Sequence, residues 1–109
     1  MATTYKVLGT SNPTATTATA LYTVPASTST IVSTITVCNQ AASSATYRIA
    51  VRPSGATLAA SHYIAYDAAL PANDSICLTL GITLAATDVI TIYASTTTIS
   101  FLAFGTEIT

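Results

Sequence analysis

The chain has 109 residues, enough for one ordinary domain and too few for a second core. Only seven residues are charged, Lys6, Arg48, Arg52, Asp67, Asp74, Asp88 and Glu107, whereas 54 are Thr, Ala or Ser; the charged share is 6%, against about 25% in an average soluble domain. With a net charge of −1 and three cations, the chain cannot neutralise a run of phosphates or hold an anionic bilayer, so nucleic-acid and lipid-surface partners are excluded. A mean hydropathy of +0.59 is the reverse of a disordered composition. Every apolar run is broken within a few positions, far short of the roughly 18 residues of a membrane span. The opening Met1-Ala-Thr-Thr-Tyr-Lys6 has neither a basic n-region nor an apolar h-region, so no signal peptide and cytoplasmic synthesis are expected.

Period two dominates the chain. Tyr5–Leu8 and Thr19–Val24 are short strand candidates, divided by the turn residues Asn12-Pro13. Thr30–Asn39 is almost wholly β-branched and predicts a strand with Ile31, Ile35 and Val37 on one face and Thr34 and Thr36 on the other. In Thr46–Arg52, Tyr47, Ile49 and Val51 face one way, and Arg48, Ala50 and Arg52 share the exposed face. After the turn Arg52-Pro53-Ser54-Gly55 comes the weaker strand His62–Asp67. Leu70-Pro71-Ala72-Asn73-Asp74 is a further turn, and Ser75–Ile82 follows with Ile76, Leu78, Leu80 and Ile82 opposite Cys77, Thr79 and Gly81. Asp88–Ala94 and Thr98–Phe104 complete the set, with Gly105 after the last run. Gln40–Ala45 and Ala56–Ser61 have room for a turn of helix but lack an apolar helical stripe.

About eight short strands and no long helical pattern predict an all-β fold: one β-sandwich over residues 1–109 with antiparallel strands, jelly-roll-like or alternatively immunoglobulin-like. Residues 1–8 are expected to form a short N-terminal arm, polar enough over Thr3–Leu8 to lie across a neighbour. Soluble monomers usually guard sheet edges with Lys, Pro or bulges, and this chain has a single Lys. Self-association follows as an expectation.

Chemistry-bearing residues are sparse. His62 is the only imidazole, and Asp67 lies an odd number of positions away, so a regular strand turns the two to opposite faces. No G-x-S-x-G segment is present, and no catalytic residue, cofactor site or metal site is assigned. Asp74 and Asp88 sit where carboxylates satisfy backbone N–H groups, and no Asp-rich calcium loop exists. Cys38 and Cys77 are read as buried free thiols, with a disulfide between neighbouring strands as the alternative. Asn73-Asp74-Ser75 matches a glycosylation sequon that matters only in a eukaryotic secretory route. The Thr-x-Thr pairs recur irregularly, unlike an ice-binding array. Tyr5, Tyr22, Tyr47, Tyr63, Tyr66 and Tyr93 suit either a sugar platform or a protein interface. The expected contact residues are Arg48, Arg52, His62, Tyr63, Tyr66 and Glu107, with Tyr5 and Lys6 on the arm.

Several segments keep a recognisable order: Leu21-Tyr-Thr-Val-Pro25, Ile35–Asn39, Arg48-Ile-Ala-Val-Arg52, Tyr63-Ile-Ala-Tyr66-Asp67, Leu70-Pro-Ala-Asn-Asp74, Leu78–Leu84, Asp88–Ala94 and Ser100-Phe-Leu-Ala-Phe-Gly105-Thr-Glu107. In order and spacing the chain resembles small β-sandwich virion structural proteins of tailed bacteriophages, cyanophages among them. That resemblance implies a non-enzymatic building block on the virion, a capsid cement or decoration protein. It implies a homotrimer that clamps neighbouring copies of the major capsid protein, or else contacts another virion protein. A neck, tail or baseplate component and a carbohydrate-binding host-surface module are the alternatives, and a pilus or surface-layer subunit is a more distant rival.

Overall fold

A computed structural model describes residues 2–109, and eight strands account for most of them: β1 (Thr3–Ser11), β2 (Thr19–Thr23), β3 (Ser29–Asn39), β4 (Ala45–Arg52), β5 (Tyr63–Leu70), β6 (Ser75–Leu84), β7 (Val89–Ala94) and β8 (Ile99–Ile108). Two single 3-10 turns, Pro53–Gly55 and Ala60–His62, interrupt the β4–β5 connection. The strands form two antiparallel sheets, β1-β8-β3-β6 (sheet A) and β2-β7-β4-β5 (sheet B). The pairs β1·β8, β2·β7, β3·β6 and β4·β5 are those of one long hairpin ribbon folded over on itself. This is jelly-roll connectivity, and it decides between the two sandwich topologies the sequence left open.

The core fills the space between the sheets. Val32, Ile35 and Val37 of β3 and Ile99, Phe101 and Ala103 of β8 meet Tyr47 and Ile49 of β4 and Ile90, Ile92 and Ala94 of β7. Tyr47 and Phe101 touch edge-to-face across the gap, with ring centroids 6.4 Å apart, the geometry the ring quadrupoles favour. Asn39, the buried last residue of β3, closes one end: its amide donates to the carbonyls of Ser43, Leu70 and Pro71, and its side-chain oxygen accepts from Ala41 N–H and the Thr98 hydroxyl.

Bulges interrupt both sheets, along a continuous seam in sheet A and at the β2·β7 and β4·β5 pairings in sheet B, and they revise several expectations. In sheet A the seam crosses β8 at Ala103–Gly105. Leu8 is the extra residue of β1, Ser33 that of β3, and Leu80-Gly81 oppose Ser33 from β6. The bulge at Ser33 shifts the phase of β3, so Thr30 and Val32 point inward before it and Ile35 and Val37 after it. Ile31, expected in the core, is therefore 41% exposed, and Leu80, expected beside Leu78, is 38% exposed. Gly105 does not end the last strand. It lies within β8 because a Cβ there would stand 2.1 Å from the Ile31 carbonyl oxygen.

The expected N-terminal arm is strand β1, paired along its whole length with β8, because Thr3–Ser11 completes the hydrogen-bonding of an otherwise open sheet edge. The cysteines are also placed differently from expectation. Both are free, Cys38 is half-buried and Cys77 exposed, because each takes an outward position on sheet A.

Candidate functional site

The two outer faces of the sandwich differ in kind. On sheet B, Arg48 projects outward from β4 beside its register partner Tyr93 and opposite the bulge at Tyr66-Asp67 of β5. Its guanidinium lies 4.1 Å from the ring centroids of both Tyr66 and Tyr93. Its Nε–H donates to Asp67 Oδ1 at 2.7 Å and Nη2 to Oδ2 at 3.3 Å. A planar cation between two aromatic faces with a carboxylate on its fork is the arrangement arginine favours and lysine cannot reproduce. The Asp67 hydrogen bond raises the Arg48 pKa further above its already high value, so the charge is permanent.

Tyr66 and Asp67 are sequence neighbours, yet both touch Arg48. A regular strand forbids that; Asp67 at φ +50° permits it. Tyr63 packs edge-to-face on Tyr66, with centroids 4.9 Å apart. Of the expected contact residues, Arg48, Tyr63 and Tyr66 thus form one cluster. Arg52, two positions along the same face from Arg48, donates to the Thr91 hydroxyl and to the carbonyls of Gly55 and Ala56, holding the β4–β5 connection down. His62 lies in that connection, where its Nδ1 accepts from Ala59 N–H. Tyr93 was missed as a member of the cluster, although its position in β7 would have placed it beside Arg48 had the β4·β7 register been known.

Tyr5, Lys6 and Glu107 lie on sheet A. Lys6 and Glu107 take inward positions near one end of the sandwich and pair at 3.2 Å, and Tyr5 faces out. Glu107 also accepts from the Tyr22 phenol, whose oxygen stands 2.8 Å from the Thr30 hydroxyl. This group bridges β8 and β3 of sheet A to β2 of sheet B. Burial, reinforced by the carboxylate, pushes the Tyr22 pKa up to about 12, and the phenol and Lys6 hold Glu107 below the usual carboxylate range.

The outer face of sheet A carries no charged side chain among the described residues. Register sets its rows: Tyr5, Thr106, Ile31, Thr83; then Val7, Phe104, Thr34, Thr79; then Thr10, Leu102, Thr36, Cys77. Tyr5 is 81% exposed and Val7 49%. Four of the six large apolar side chains exposed among the described residues, Tyr5, Val7, Ile31 and Leu80, belong to this sheet. The remaining charges sit in turns, where Asp74 accepts from Ser75 N–H and Asp88 from Ser54 and Ala85 N–H.

Two open clefts lie on the surface. One, of about 390 Å³, is lined by Thr10, Ser11, Asn12, Ser100, Phe101 and Leu102 and contains no titratable side chain. The other, of about 450 Å³, lies where β3 begins and β6 and β8 end, and its one carboxylate, Asp88, already accepts two backbone hydrogen bonds. No group of three His, Cys, Asp or Glu residues is placed to hold a metal among the described residues. Comparison of the chain with protein-family models, with curated proteins and with solved structures finds no match.

Proposed function

We propose that the chain is a non-enzymatic bacteriophage virion structural protein, a capsid cement subunit that acts as a homo-oligomer, a trimer on the resemblance, and bridges neighbouring capsid subunits. The observation that carries this reading is the charge-free outer face of sheet A with Tyr5, Val7 and Ile31 standing out of it. Exposed apolar area of this kind on a soluble chain marks a surface that is covered in use. The motif order that resembles virion sandwich proteins supports the same reading. So does the state of the charges: each of the seven charged side chains is already hydrogen-bonded within the chain. Such a subunit recognises its lattice by buried area and hydroxyl hydrogen bonds, with repeated weak contacts multiplied by symmetry.

The test is location in the particle. A phage that encodes the chain is reconstructed with and without it. Density on the shell in hundreds of copies, with stripped heads losing heat resistance, is the expected result; a few copies in a ring would move the protein to the neck, tail or baseplate. Absence from particles would overturn the reading.

The Tyr63–Tyr66–Arg48 cluster favours a second reading, a carbohydrate-binding module, because Tyr66 is 59% exposed beside a carboxylate held by its arginine. Glycan-array binding abolished by Tyr63→Ala would establish it, and an empty array would dismiss it.

A further inference from the structure

We infer that copies of this chain meet through the outer face of sheet A, turned inward toward a shared symmetry axis, with the Arg48 face of sheet B turned outward. The inference deepens the structural-subunit reading and rests on it only for the premise that copies associate. The physical reason is what a symmetry axis does to charge. Close to a two-fold or three-fold axis each side chain meets its own symmetry mates, so an ionised group there faces the same sign and is repelled. Sheet B's outer face presents Arg48, Arg52 and Asp67, and none of these tolerates that position without being re-paired. Sheet A's outer face presents methyls, rings and hydroxyls. A hydroxyl both donates and accepts, so Thr34, Thr36, Thr79 and Thr106 can pair with copies of themselves.

The size is adequate as well. Four strands about 4.8 Å apart and about ten residues long at about 3.3 Å each give a flat footprint of about 600 Å². Side-chain relief raises the accessible area toward the roughly 800 Å² per partner of a stable interface. Tyr5 and Val7 on edge strand β1 and Ile31 on β3 concentrate the apolar area at one end of the face, which makes that end the expected centre of contact.

The experiment is sedimentation equilibrium of the purified full chain from about 1 to about 100 μM, where mass action separates protomer from assembly. The wild type is expected to form a closed dimer or trimer. Ile31→Glu sets like charges against each other, and since such juxtaposition costs several kcal/mol it weakens assembly by about a hundredfold or more. Tyr66→Glu on the other face leaves the association constant within about twofold, as expected of a residue outside the interface. Should Ile31→Glu fail to fold, the double variant Val7→Thr, Ile31→Thr keeps β-branched shape and weakens assembly about tenfold by removing apolar contact. A wild type that stays monomeric throughout, or assembly lost with Tyr66→Glu and kept with the sheet A variants, overturns the inference. Self-association through sheet A in a chain missing from particles would defeat the virion reading alone. A lone protomer that binds particles would defeat this inference alone.

Discussion

Sheets A and B share strand count, antiparallel pairing and bulges, yet they treat polar groups oppositely. Sheet B gathers Arg48, Arg52, Asp67 and three tyrosines onto its outer surface and ties them together there. Sheet A keeps its ion pair, Lys6–Glu107, on the inward side and, among the described residues, leaves its outer surface uncharged. With seven charges available, the fold spends them on local architecture: a bulge held at Asp67, a connection held at Arg52, turns held at Asp74 and Asp88. What sheet A presents outward is apolar area and hydroxyls. The bends differ too. Sheet A bends where two backbones approach over glycine, and sheet B where Asp67 adopts a left-handed conformation.

The largest expected effect tests the sheet A seam. Gly105→Ala places a methyl 2.1 Å from the Ile31 carbonyl oxygen and 3.0 Å from Leu8 Cδ1. Neither the paired backbone nor the core leucine can withdraw without opening the seam, so a loss of about 3 kcal/mol is expected, read as a lower urea midpoint. Gly9→Ala, with its methyl 2.4 Å from the Leu21 carbonyl oxygen, should act the same way. A near-neutral Gly105→Ala would show that β1, β8 and β3 are less tightly joined than their register implies.

Strand existence was legible in the sequence because β-branched alternation and turn residues agree, and all eight candidates are strands in the fold. What alternation cannot announce is a bulge. Ile31 and Leu80 were assigned to the core because parity was carried through Ser33 and Gly81, where the chain changes phase. That Arg48, Tyr63 and Tyr66 lie together was not legible in the sequence, nor was the addition of Tyr93, since Arg48 meets Tyr93 only through a register fixed by long-range pairing. Cys77 is outward by the period-two pattern itself, and the preference of free thiols for burial pointed the wrong way.

The next effect concerns the bridge between the sheets. Tyr22→Phe removes the phenol shared by Glu107 and Thr30, leaving the Thr30 hydroxyl buried with one partner fewer, at a cost of about 1–2 kcal/mol. The pH dependence has a definite sign at both ends. Glu107 is held below its unfolded value, so its stabilisation is present above the normal carboxylate range and is lost as pH falls through the lowered value. Tyr22 is raised to about 12, so its contribution is complete below the ordinary phenol value of about 10 and is lost as pH climbs toward about 12. In Tyr22→Phe the acid limb becomes shallower because Lys6 alone then depresses Glu107. Chemical denaturation across pH reads both limbs; an unchanged acid limb would mean that the two sheets are not coupled through this group.

The smallest effect separates backbone from charge on sheet B. Asp67 sits at φ +50° and also pairs with Arg48, so its replacement mixes two losses. Asp67→Ala and Asp67→Gly remove the same carboxylate, but only glycine occupies the left-handed region without a Cβ penalty. Asp67→Gly should therefore be the more stable by about 1 kcal/mol, reduced somewhat by glycine's greater freedom in the unfolded chain. Both variants release the Arg48 guanidinium from its fork, so both should loosen its stacking on Tyr66 and Tyr93 and alter the near-ultraviolet circular dichroism alike. If the two variants are equally stable, the bulge is not held in its left-handed form, and Tyr66 and Asp67 would be free to part to opposite faces as a regular strand demands. The face of sheet B would then owe its cluster to Arg48 alone, and the contrast with sheet A would reduce to the placement of one arginine.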